Sequence, residues 1–395
     1  MNKKIKIAIV HPPYACLCPS FDLNSEVWKY IQNKHKNIEF TYFVDKDMSE
    51  KFSSKAYEGI NIVRLKCFDK RIKIIKPLNV ILKLLGLPHY YYPGLVKRLK
   101  NFDLIESTTP EFHIFGIQAY IASQKYRAKY ILHNSTTTYQ YLFPITKIFI
   151  LPLMRRLMKK VSKFLFTNPG ARSKYEEFGF VKKNSKRSVI VGLPLNTDIF
   201  KPMNLKKYKT FTLISVGGLY KVKGHHIVIG ALKKVVDAGH KEVTLHIYGK
   251  GTAKPWLEEL VKKYNLRDNV KFMRHIPLKK LAEAYNRAHL FVLANLEEFT
   301  SSIGEAMLCN LPVVVMDCGS IRFIIPDDSY GFVTRRKNVN DMAKEIIKLI
   351  KNPDLRKKLP KKGRSYICKT LGYKYIAKKI HKAYLEAYNM EIFSE

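Results

Sequence analysis

Short apolar runs alternate with longer amphipathic stretches along the first half of the chain. The apolar runs are rich in Ile, Val, Phe and Tyr, as buried strands are, and the stretches between them carry apolar residues at helical spacing. The predicted strands cover residues 6–10, 38–44, 60–65, 103–107, 129–133, 164–168 and 188–193. Strand–helix alternation of this kind predicts a parallel sheet with helices on both faces.

The second half repeats this alternation after a segment without a clear period. Residues 194–209 are rich in proline, asparagine and lysine and predict a linker. The predicted strands beyond it cover residues 211–218, 243–249, 270–275, 290–295, 312–316 and 331–334. We therefore expect an α/β fold of two Rossmann-like, doubly wound domains, residues 1–193 and 210–371, with ligands at the carboxyl ends of strands in the cleft between them. Residues 372–395 predict an amphipathic terminal helix.

The composition is strongly basic. The 395 residues include 71 Lys and Arg against 32 Asp and Glu, a formal net charge of +39. Such a field attracts phosphates, nucleic acid or anionic lipid headgroups, and a lysine-rich genome or a charged thermophile surface is the alternative origin. Because no helix-turn-helix, zinc-finger or RNP-like pattern accompanies the charge, we expect no specific nucleic-acid partner.

The cysteines and the apolar runs bear on the cellular compartment. Six scattered cysteines give neither a C-x2-C zinc spacing nor a disulfide framework, which favours a reducing cytoplasm. The opening MNKKIKIAIV predicts a first strand rather than a signal peptide. No uninterrupted apolar run reaches the roughly 18 residues that a membrane span needs. We expect a cytoplasmic protein.

A glycine-rich turn stands out in SVGGLYKVKGHHIVIGAL, residues 215–232. A predicted strand ends in Gly217-Gly218, a short loop carries Lys223-Gly224, and a helix follows. Glycines let the backbone approach a ligand, and free N–H groups at a helix start favour phosphate. A structural turn is the alternative, and the spacing does not fit a Walker nucleotide loop.

A second candidate binding site contains two glutamates eight positions apart, in the stretch LANLEEFTSSIGEAMLCNLPVVV. Glu297 follows a predicted strand, and Glu305 lies near the start of the next predicted helix, so both carboxylates can face one cleft. The N–H groups of Thr300, Ser301 and Ser302 would point out of the helix start toward an anion. Ordinary capping of the helix is the alternative interpretation of Glu305.

Together these stretches resemble family 4 retaining nucleotide-sugar glycosyltransferases, also called glycosyl transferases group 1. That family carries V-G-R-L-x-x-x-K-G, L-x-I-x-G-x-G, D-N-V-x-F and a Glu-x7-Glu motif followed by E-A-M-A-x-G-x-P-V-V. The matching blocks here are Val216–Leu219 with Lys223-Gly224, Leu245–Gly251, Asp268–Phe272, and Glu297 through Val314. Order and spacing match from about residue 211 to 334.

The resemblance implies a GT-B fold, in which two Rossmann-like domains face a central cleft and the terminal helix crosses back onto the first domain. By position, Glu305 corresponds to the residue that binds the ribose hydroxyls and Glu297 to the one that contacts the transferred sugar. His133, after the strand KYILH, corresponds to a histidine placed against the donor sugar, although an isolated histidine is also compatible with a purely structural role.

The implied site therefore has two sets of residues. The catalytic set is Glu297, His133 and Lys223. The donor-binding set is Gly217, Gly218, Lys223, Phe299, Thr300, Ser301, Ser302 and Glu305. The donor would be a UDP-, GDP- or ADP-sugar, with no further cofactor. The implied scheme requires no metal, and no Asp-x-Asp motif appears at the expected place.

The sequence departs from the family pattern at several places, including Gly218, Asn310 and residues 18–22. The arginine of V-G-R-L is Gly218, so one diphosphate contact must come from elsewhere, and Lys221 is one substitute. The glycine before L-P-V-V is Asn310, which is tolerable because asparagine is the next-best residue for the left-handed conformation at a helix end. The acceptor loop, residues 18–22, has no glycine, so the acceptor cannot be identified from it.

Two basic stretches suggest where the acceptor lies. Residues 64–100 hold ten basic residues and one acidic residue among apolar and aromatic ones, and residues 147–166 mix basic residues with an apolar stripe. Basic amphipathic segments with aromatics suit an anionic membrane surface. We expect a lipid-linked glycan or glycolipid acceptor and peripheral attachment to the inner membrane face. The alternative is that 147–166 is a core helix with solvated lysines.

The leading hypothesis is thus a retaining glycosyltransferase that moves a sugar from a nucleoside diphosphate sugar to a glycan or lipid-linked acceptor, in a cell-surface glycan, glycolipid or protein-glycosylation pathway. A hydrolysing nucleotide-sugar epimerase shares the architecture and would give product without an acceptor. A degenerate protein that binds a sugar nucleotide or a polyanion without catalysis is the third reading, and the loss of arginine at Gly218 favours it slightly.

Overall fold

The computed structural model describes residues 3–10, 19–46, 58–66, 91–108, 114–134, 144–296 and 300–390. The chain divides into two compact units. The first unit comprises Met1–Pro194 and Tyr373–Glu395, and the second comprises Leu195–Gly372.

The described residues of the first unit form a seven-stranded parallel sheet. Its strands are β1 (Ile5–Val10), β2 (Ile38–Asp45), β3 (Asn61–Leu65), β4 (Leu104–Thr108), β5 (Lys129–Asn134), β6 (Lys163–Phe166) and β7 (Ser188–Ile190), in the order β3-β2-β1-β4-β5-β6-β7. The helices between them are α1 (Pro19–Lys34), α2 (Leu95–Arg98), α3 (Ile114–Tyr126), α4 (Pro144–Lys159) and α5 (Pro169–Glu177). The central strands read as continuous apolar runs because helices cover the sheet.

The second unit contains a six-stranded parallel sheet. Its strands are β8 (Thr212–Val216), β9 (Thr244–Tyr248), β10 (Val270–Met273), β11 (Leu290–Leu293), β12 (Val313–Met316) and β13 (Phe332–Thr334), in the order β10-β9-β8-β11-β12-β13. Its helices are α6 (His225–Asp237), α7 (Lys254–Lys263), α8 (Leu278–Arg287), α9 (Ser301–Leu308), α10 (Val339–Lys351) and α11 (Pro353–Thr370). One apolar cluster, which includes Leu232, Leu245 and Ile346, fills the space between sheet and helices.

The strand orders confirm the predicted fold class. In each unit the chain builds outward from its first strand to one edge and then returns to build the other side, as doubly wound Rossmann-like sheets do. The reversal lies between β1 and β4 in the first unit and between β8 and β11 in the second. Ligands of such sheets bind where the order reverses, outside the carboxyl ends of the strands.

The terminal helix, α12 (Tyr373–Asn389), belongs to the first unit, in which it packs against α1, β5 and β6. Glu386 forms an ion pair with Lys163 of β6, and Lys379 Nζ donates to the Ile190 carbonyl at 2.8 Å. The apolar face of α12, with Ile376 and Ile380, is buried. The helix thus completes the first unit after the chain has formed the second.

Residues 195–209, which the sequence predicts to be a linker, are grouped with the second unit. Met203 N donates to Asn286 Oδ1 at 2.7 Å, and Tyr208 N donates to the Arg287 carbonyl at 3.0 Å. Lys207 Nζ donates to the Ala288 carbonyl at 2.6 Å, and burial lowers the pKa of this amine. The segment is therefore tied along the end of α8.

Within the part of the chain that the structure describes, no helix has both the length and the apolar character needed to cross a membrane.

Candidate functional site

The glycine-rich turn lies at the carboxyl end of β8, beside the reversal of strand order. Gly217 N donates to the Tyr248 carbonyl at 3.0 Å, and Leu219 N donates to the Lys250 carbonyl at 3.0 Å. A Cβ at Gly249 would lie 1.9 Å from the Gly217 carbonyl oxygen. The loops that follow β8 and β9 therefore touch through their backbones, and a side chain at Gly249 would separate them.

The same turn meets the exit of β11. Gly224 has a φ of +68°, and a Cβ there would lie 1.8 Å from the Ala294 carbonyl oxygen. Leu296 N donates to the Val222 carbonyl at 2.9 Å. Both contacts join the turn that carries Lys223 to the segment that leads toward the glutamate motif. The glycine-rich turn and the start of the glutamate stretch, far apart in the sequence, are thus neighbours at the carboxyl ends of β8 and β11.

Helix α9 is the next described element after this segment. Thr300 precedes its first turn, and the Thr300 and Ser302 hydroxyls are 2.7 Å apart. The N–H groups of Ser301 and Ser302 come before the first i→i−4 bond that the helix can make, and they lie at the positive end of its dipole. The helix start thus offers N–H and hydroxyl donors, as the sequence predicts for Thr300, Ser301 and Ser302.

Glu305 lies on the buried side of α9, with a residue exposure of 6%. Tyr285 of α8 donates its hydroxyl to Glu305 Oε2 at 3.1 Å, and the Ser301 side chain also hydrogen-bonds the carboxyl. Burial raises the pKa of Glu305, and the two hydrogen bonds oppose that shift. The carboxyl is therefore held by two side chains rather than by simple capping of its own helix.

The end of α9 confirms the expectation for Asn310. Its φ is +62°, and Asn310 N donates to the Met307 carbonyl at 3.0 Å. Asparagine adopts this left-handed conformation more readily than other non-glycine residues, so it can stand where the family pattern has glycine. The helix is also fixed at Gly304, where a Cβ would lie 2.3 Å from Leu195 Cδ1.

The position of the missing arginine is occupied by an aromatic ring. A Cβ at Gly218 would lie 2.7 Å from the ring of Tyr220. Lys221, the suggested substitute, has its ammonium 5.2 Å from the ring centroid of Trp256. A cation that the sequence reasoning missed is nearer the junction, because Arg336 Nη2 donates to the Leu296 carbonyl at 2.8 Å. Arg336 follows β13, and no motif marks it.

His225, the first residue of α6, is a second residue that the sequence reasoning missed. It is buried under the turn, with Nδ1 3.2 Å from Ser215 Oγ and with the backbone of Gly217 and Gly218 also interacting with the ring. Burial lowers its pKa to about 4, so the ring is neutral at pH 7. The signal was present in the sequence, because His225 shares the helical face of Val228, Ile229 and Leu232, whereas His226 does not.

His133 lies in the first unit at the end of β5, with an exposure of 8%. Its Nδ1 is 3.1 Å from Glu106 Oε1, and its buried Nε2 has no hydrogen-bond partner among the residues that the structure describes.

The predicted site residues thus have three outcomes. Seven of them lie in the second unit: Gly217, Gly218, Lys223, Thr300, Ser301, Ser302 and Glu305. His133 lies in the first unit. Glu297 and Phe299 are outside the described residues. Among the residues that are described, no group of three or more His, Cys, Asp or Glu could hold a metal ion, and metal independence stays a prediction.

Comparison with known proteins links the second unit to one family. Residues 196–366 match the family model "Glycosyl transferases group 1". An uncharacterised glycosyltransferase of Haemophilus influenzae is 26% identical over 172 residues, which cover 43% of this chain and 48% of that protein. The matched segment spans about half the length of the curated relatives.

Solved structures resemble the whole chain. A glycosyltransferase of Rickettsia africae ESF-5 has a TM-score of 0.75 at 15% identity and covers 98% of this chain and 100% of its own. Anabaena Alr3699/HepE in complex with UDP has a TM-score of 0.74 at 16% identity, with 96% and 99% covered. At these identities the likeness shows the fold, which is that of glycosyltransferases with two Rossmann-like domains.

Proposed function

We propose, from the premise that residues 196–366 of this chain belong to the glycosyl transferases group 1 family, that the protein is a retaining glycosyltransferase. It moves a sugar from a nucleoside diphosphate sugar to a glycan or lipid-linked acceptor and needs no metal ion. The whole chain has the fold of such enzymes, with two doubly wound units.

The observation that carries this proposal is the junction between the two motifs of the second unit. The Leu296–Val222 hydrogen bond and the contact of Gly224 with Ala294 bring Lys223 next to the segment that leads into α9. A nucleoside diphosphate gains negative charge as it leaves the sugar. N–H donors and cations fixed in advance around that charge stabilise the transition state without reorganising during the reaction.

Glu305 would orient the nucleoside. A carboxylate held by Tyr285 and Ser301 keeps acceptor capacity for ribose hydroxyls, and its fixed position selects one geometry. The Anabaena structure is a complex with UDP, and a further structure of the same protein is a complex with UDP-glucose. We therefore place UDP-sugars first among the donors, ahead of GDP- and ADP-sugars.

The acceptor is proposed to lie at an anionic membrane surface that the protein binds peripherally. Helix α4 buries Met154 and Met158 in the core of the first unit, as the core-helix alternative requires. Its outer side carries Leu153, which is 54% exposed, together with Arg156, and Lys160 follows the helix. Basic side chains beside an exposed leucine suit anionic headgroups. Much of the other basic stretch, residues 67–90, lies outside the described residues.

Donor turnover by the purified protein tests the proposal. UDP-, GDP- and ADP-sugars are supplied with and without lipid extract, and wild type is compared with Glu305→Gln and Glu297→Ala. Exposed Glu259→Gln on α7 is the matched control for the loss of one carboxylate. We expect one donor to be turned over, more with lipid, and Glu305→Gln to raise its KM at least about 10-fold, as loss of a charged hydrogen bond would.

The other outcomes assign the chain to the rival functions. Product formed without any acceptor, as a free epimerised sugar, identifies an epimerase. Donor binding without turnover across the panel identifies a non-catalytic protein, and an inverted anomeric configuration in the product contradicts the retaining mechanism.

A further inference from the structure

A buried carboxylate in the first unit has no place in the site described so far. Glu106 is the third residue of β4, with an exposure of 1%. It accepts a hydrogen bond at Oε2 from the Tyr384 hydroxyl of α12, at 2.6 Å, and its Oε1 is 3.1 Å from His133 Nδ1. The Trp28 side chain of α1 also hydrogen-bonds Tyr384. Helix α12 and two strands therefore meet at this carboxylate, and α1 is connected to it through Tyr384.

The sheet register explains why Glu106 and His133 meet. Glu106 pairs with Ile131 of β5, and His133 is two residues further along that strand. Residues two apart share one face of a strand, so Glu106 and His133 are diagonal neighbours on the face that α12 covers. Ser107 points to the opposite face, where its hydroxyl is 2.6 Å from that of Tyr130.

Structural need alone does not account for this arrangement. Burying a carboxylate is costly even when it is paired, and apolar side chains of similar volume often hold helices and strands together at least as well. The arrangement also ends in an unsatisfied atom, because His133 Nε2 is buried and lacks a partner within the described residues. A buried nitrogen of this kind is satisfied only when something outside the described residues binds it.

The carboxylate selects between the two tautomers of the ring. An ionised carboxylate only accepts hydrogen bonds, so beside it the proton of a singly protonated His133 ring lies on Nδ1. Nε2 then carries a lone pair and accepts a hydrogen bond. Tyr384 keeps its role as a donor, because burial and the charge of Glu106 raise its pKa well above the ordinary value.

We propose that Glu106 and Tyr384 are positioning residues that hold His133 in the Nδ1–H tautomer, so that Nε2 accepts a hydrogen bond from a hydroxyl of a bound substrate. The substrate contact rests on the proposed function, whereas the tautomer does not. Tyr384 occupies one oxygen of Glu106 and leaves the other for His133, which sets the rotation of the carboxyl group. Through this chain of hydrogen bonds, α12 determines how the histidine is presented.

The tautomer is measured directly by NMR of protein labelled with ¹⁵N-histidine. The His133 signals are assigned by comparison with His133→Gln. We expect a protonated Nδ1 and an unprotonated Nε2 in wild type near pH 8, and the other tautomer or a mixture in Glu106→Gln, because the amide of glutamine can donate toward Nδ1. Tyr384→Phe, which keeps the carboxylate, should retain the wild-type tautomer.

Kinetics of the proposed transfer give the second measurement. Glu106→Gln should lower kcat roughly 10- to 100-fold with little change in the donor KM, by analogy with other histidines that are oriented by a carboxylate. Tyr384→Phe should lower kcat less than Glu106→Gln does. Ser107→Ala is the matched control, since it removes a buried hydrogen bond from the same strand on the other face, and it should leave both the tautomer and kcat unchanged.

The two proposals fail separately. A protonated Nε2 in wild type, or an unchanged tautomer in Glu106→Gln, overturns the positioning role even if the enzyme transfers sugar normally. An equal loss of kcat in Ser107→Ala also overturns it, because the effect would then be general destabilisation. Absence of turnover in wild type, with the expected tautomers in place, overturns the proposed function and leaves the tautomer assignment standing.

Discussion

His225 shows how one side chain can make the stability of the second unit depend on pH. Burial under the glycine turn lowers its pKa to about 4, while an unfolded chain has the ordinary value near 6.5. Between these values the unfolded state binds a proton that the folded state does not. The unfolding free energy therefore falls as pH falls through this window, by about 1.4 kcal/mol per pH unit.

We predict that the second unit loses about 2 kcal/mol of unfolding free energy between pH 7 and pH 5 through this residue. His225→Asn should remove this contribution and leave that of His289, whose pKa burial also lowers to about 4. His226→Asn, on the same helix but only partly buried, should remove less. Denaturant unfolding at both pH values, followed by the fluorescence of Trp256 in a Trp28→Phe background, measures it. Equal pH slopes for wild type and His225→Asn would contradict the prediction.

At the scale of elements, the contact between the β8 loop and the β11 exit depends on one glycine. Gly224 needs both a left-handed conformation and close approach to Ala294, since a Cβ would lie 1.8 Å from the carbonyl oxygen. Gly239, at the other end of α6, has a φ of +99° but open space around its Cα. The two positions share the backbone conformation and differ in the close approach.

We predict that Gly224→Ala separates the two loops and raises the donor KM at least about 10-fold, the equivalent of 1.4 kcal/mol of binding free energy. Gly239→Ala carries only the cost of the left-handed conformation, about 1–2 kcal/mol of stability, and should leave the donor KM unchanged. Titration of donor nucleotide by calorimetry, beside thermal unfolding of both variants, separates binding from stability. Matching losses of affinity in the two variants would show that the contact does not position the loops.

How much could be predicted from sequence also depends on the element. The strands of both sheets follow from short apolar runs with regular spacing, and Asn310 follows from the conformational preference of one residue type. Glu106 was missed because its partner Tyr384 is 278 positions away, and no local pattern marks a contact of that length. The hydrogen bonds between residues 195–209 and the end of α8 were also missed, because they involve single side chains and carbonyls that follow no periodic pattern.

At the scale of the whole molecule, the net charge of +39 can attract an anionic membrane in two ways, through one basic surface or through the total charge of the molecule. Basic residues near an anionic surface each contribute about 1 kcal/mol at physiological ionic strength. The exposed Arg156 and Lys160 of the first unit can be compared with the exposed Lys262 and Lys263 of the second. Both pairs can be reversed to glutamate, with the same change in net charge.

We predict that Arg156→Glu with Lys160→Glu weakens binding to vesicles of anionic lipid about 30-fold or more, the effect of some 2 kcal/mol. Lys262→Glu with Lys263→Glu should change binding much less. Co-sedimentation with phosphatidylglycerol vesicles, and with neutral phosphatidylcholine vesicles as reference, measures the difference. Equal weakening by both pairs would mean that the general charge, rather than the outer side of α4, attracts the membrane.

The placement of α12 has a consequence for the order in which the chain folds during synthesis. The second unit is one continuous segment, Leu195–Gly372, so the ribosome releases all of it before α12 exists. Until then the first unit lacks the ion pair at Glu386 and the hydrogen bond that Tyr384 donates to Glu106. The carboxyl group of Glu106 is therefore without one of its donors for as long as translation of the second unit takes. The earlier half of the chain is completed last, and a ribosome that stalls within the second unit leaves β5 and β6 without the helix that packs on them.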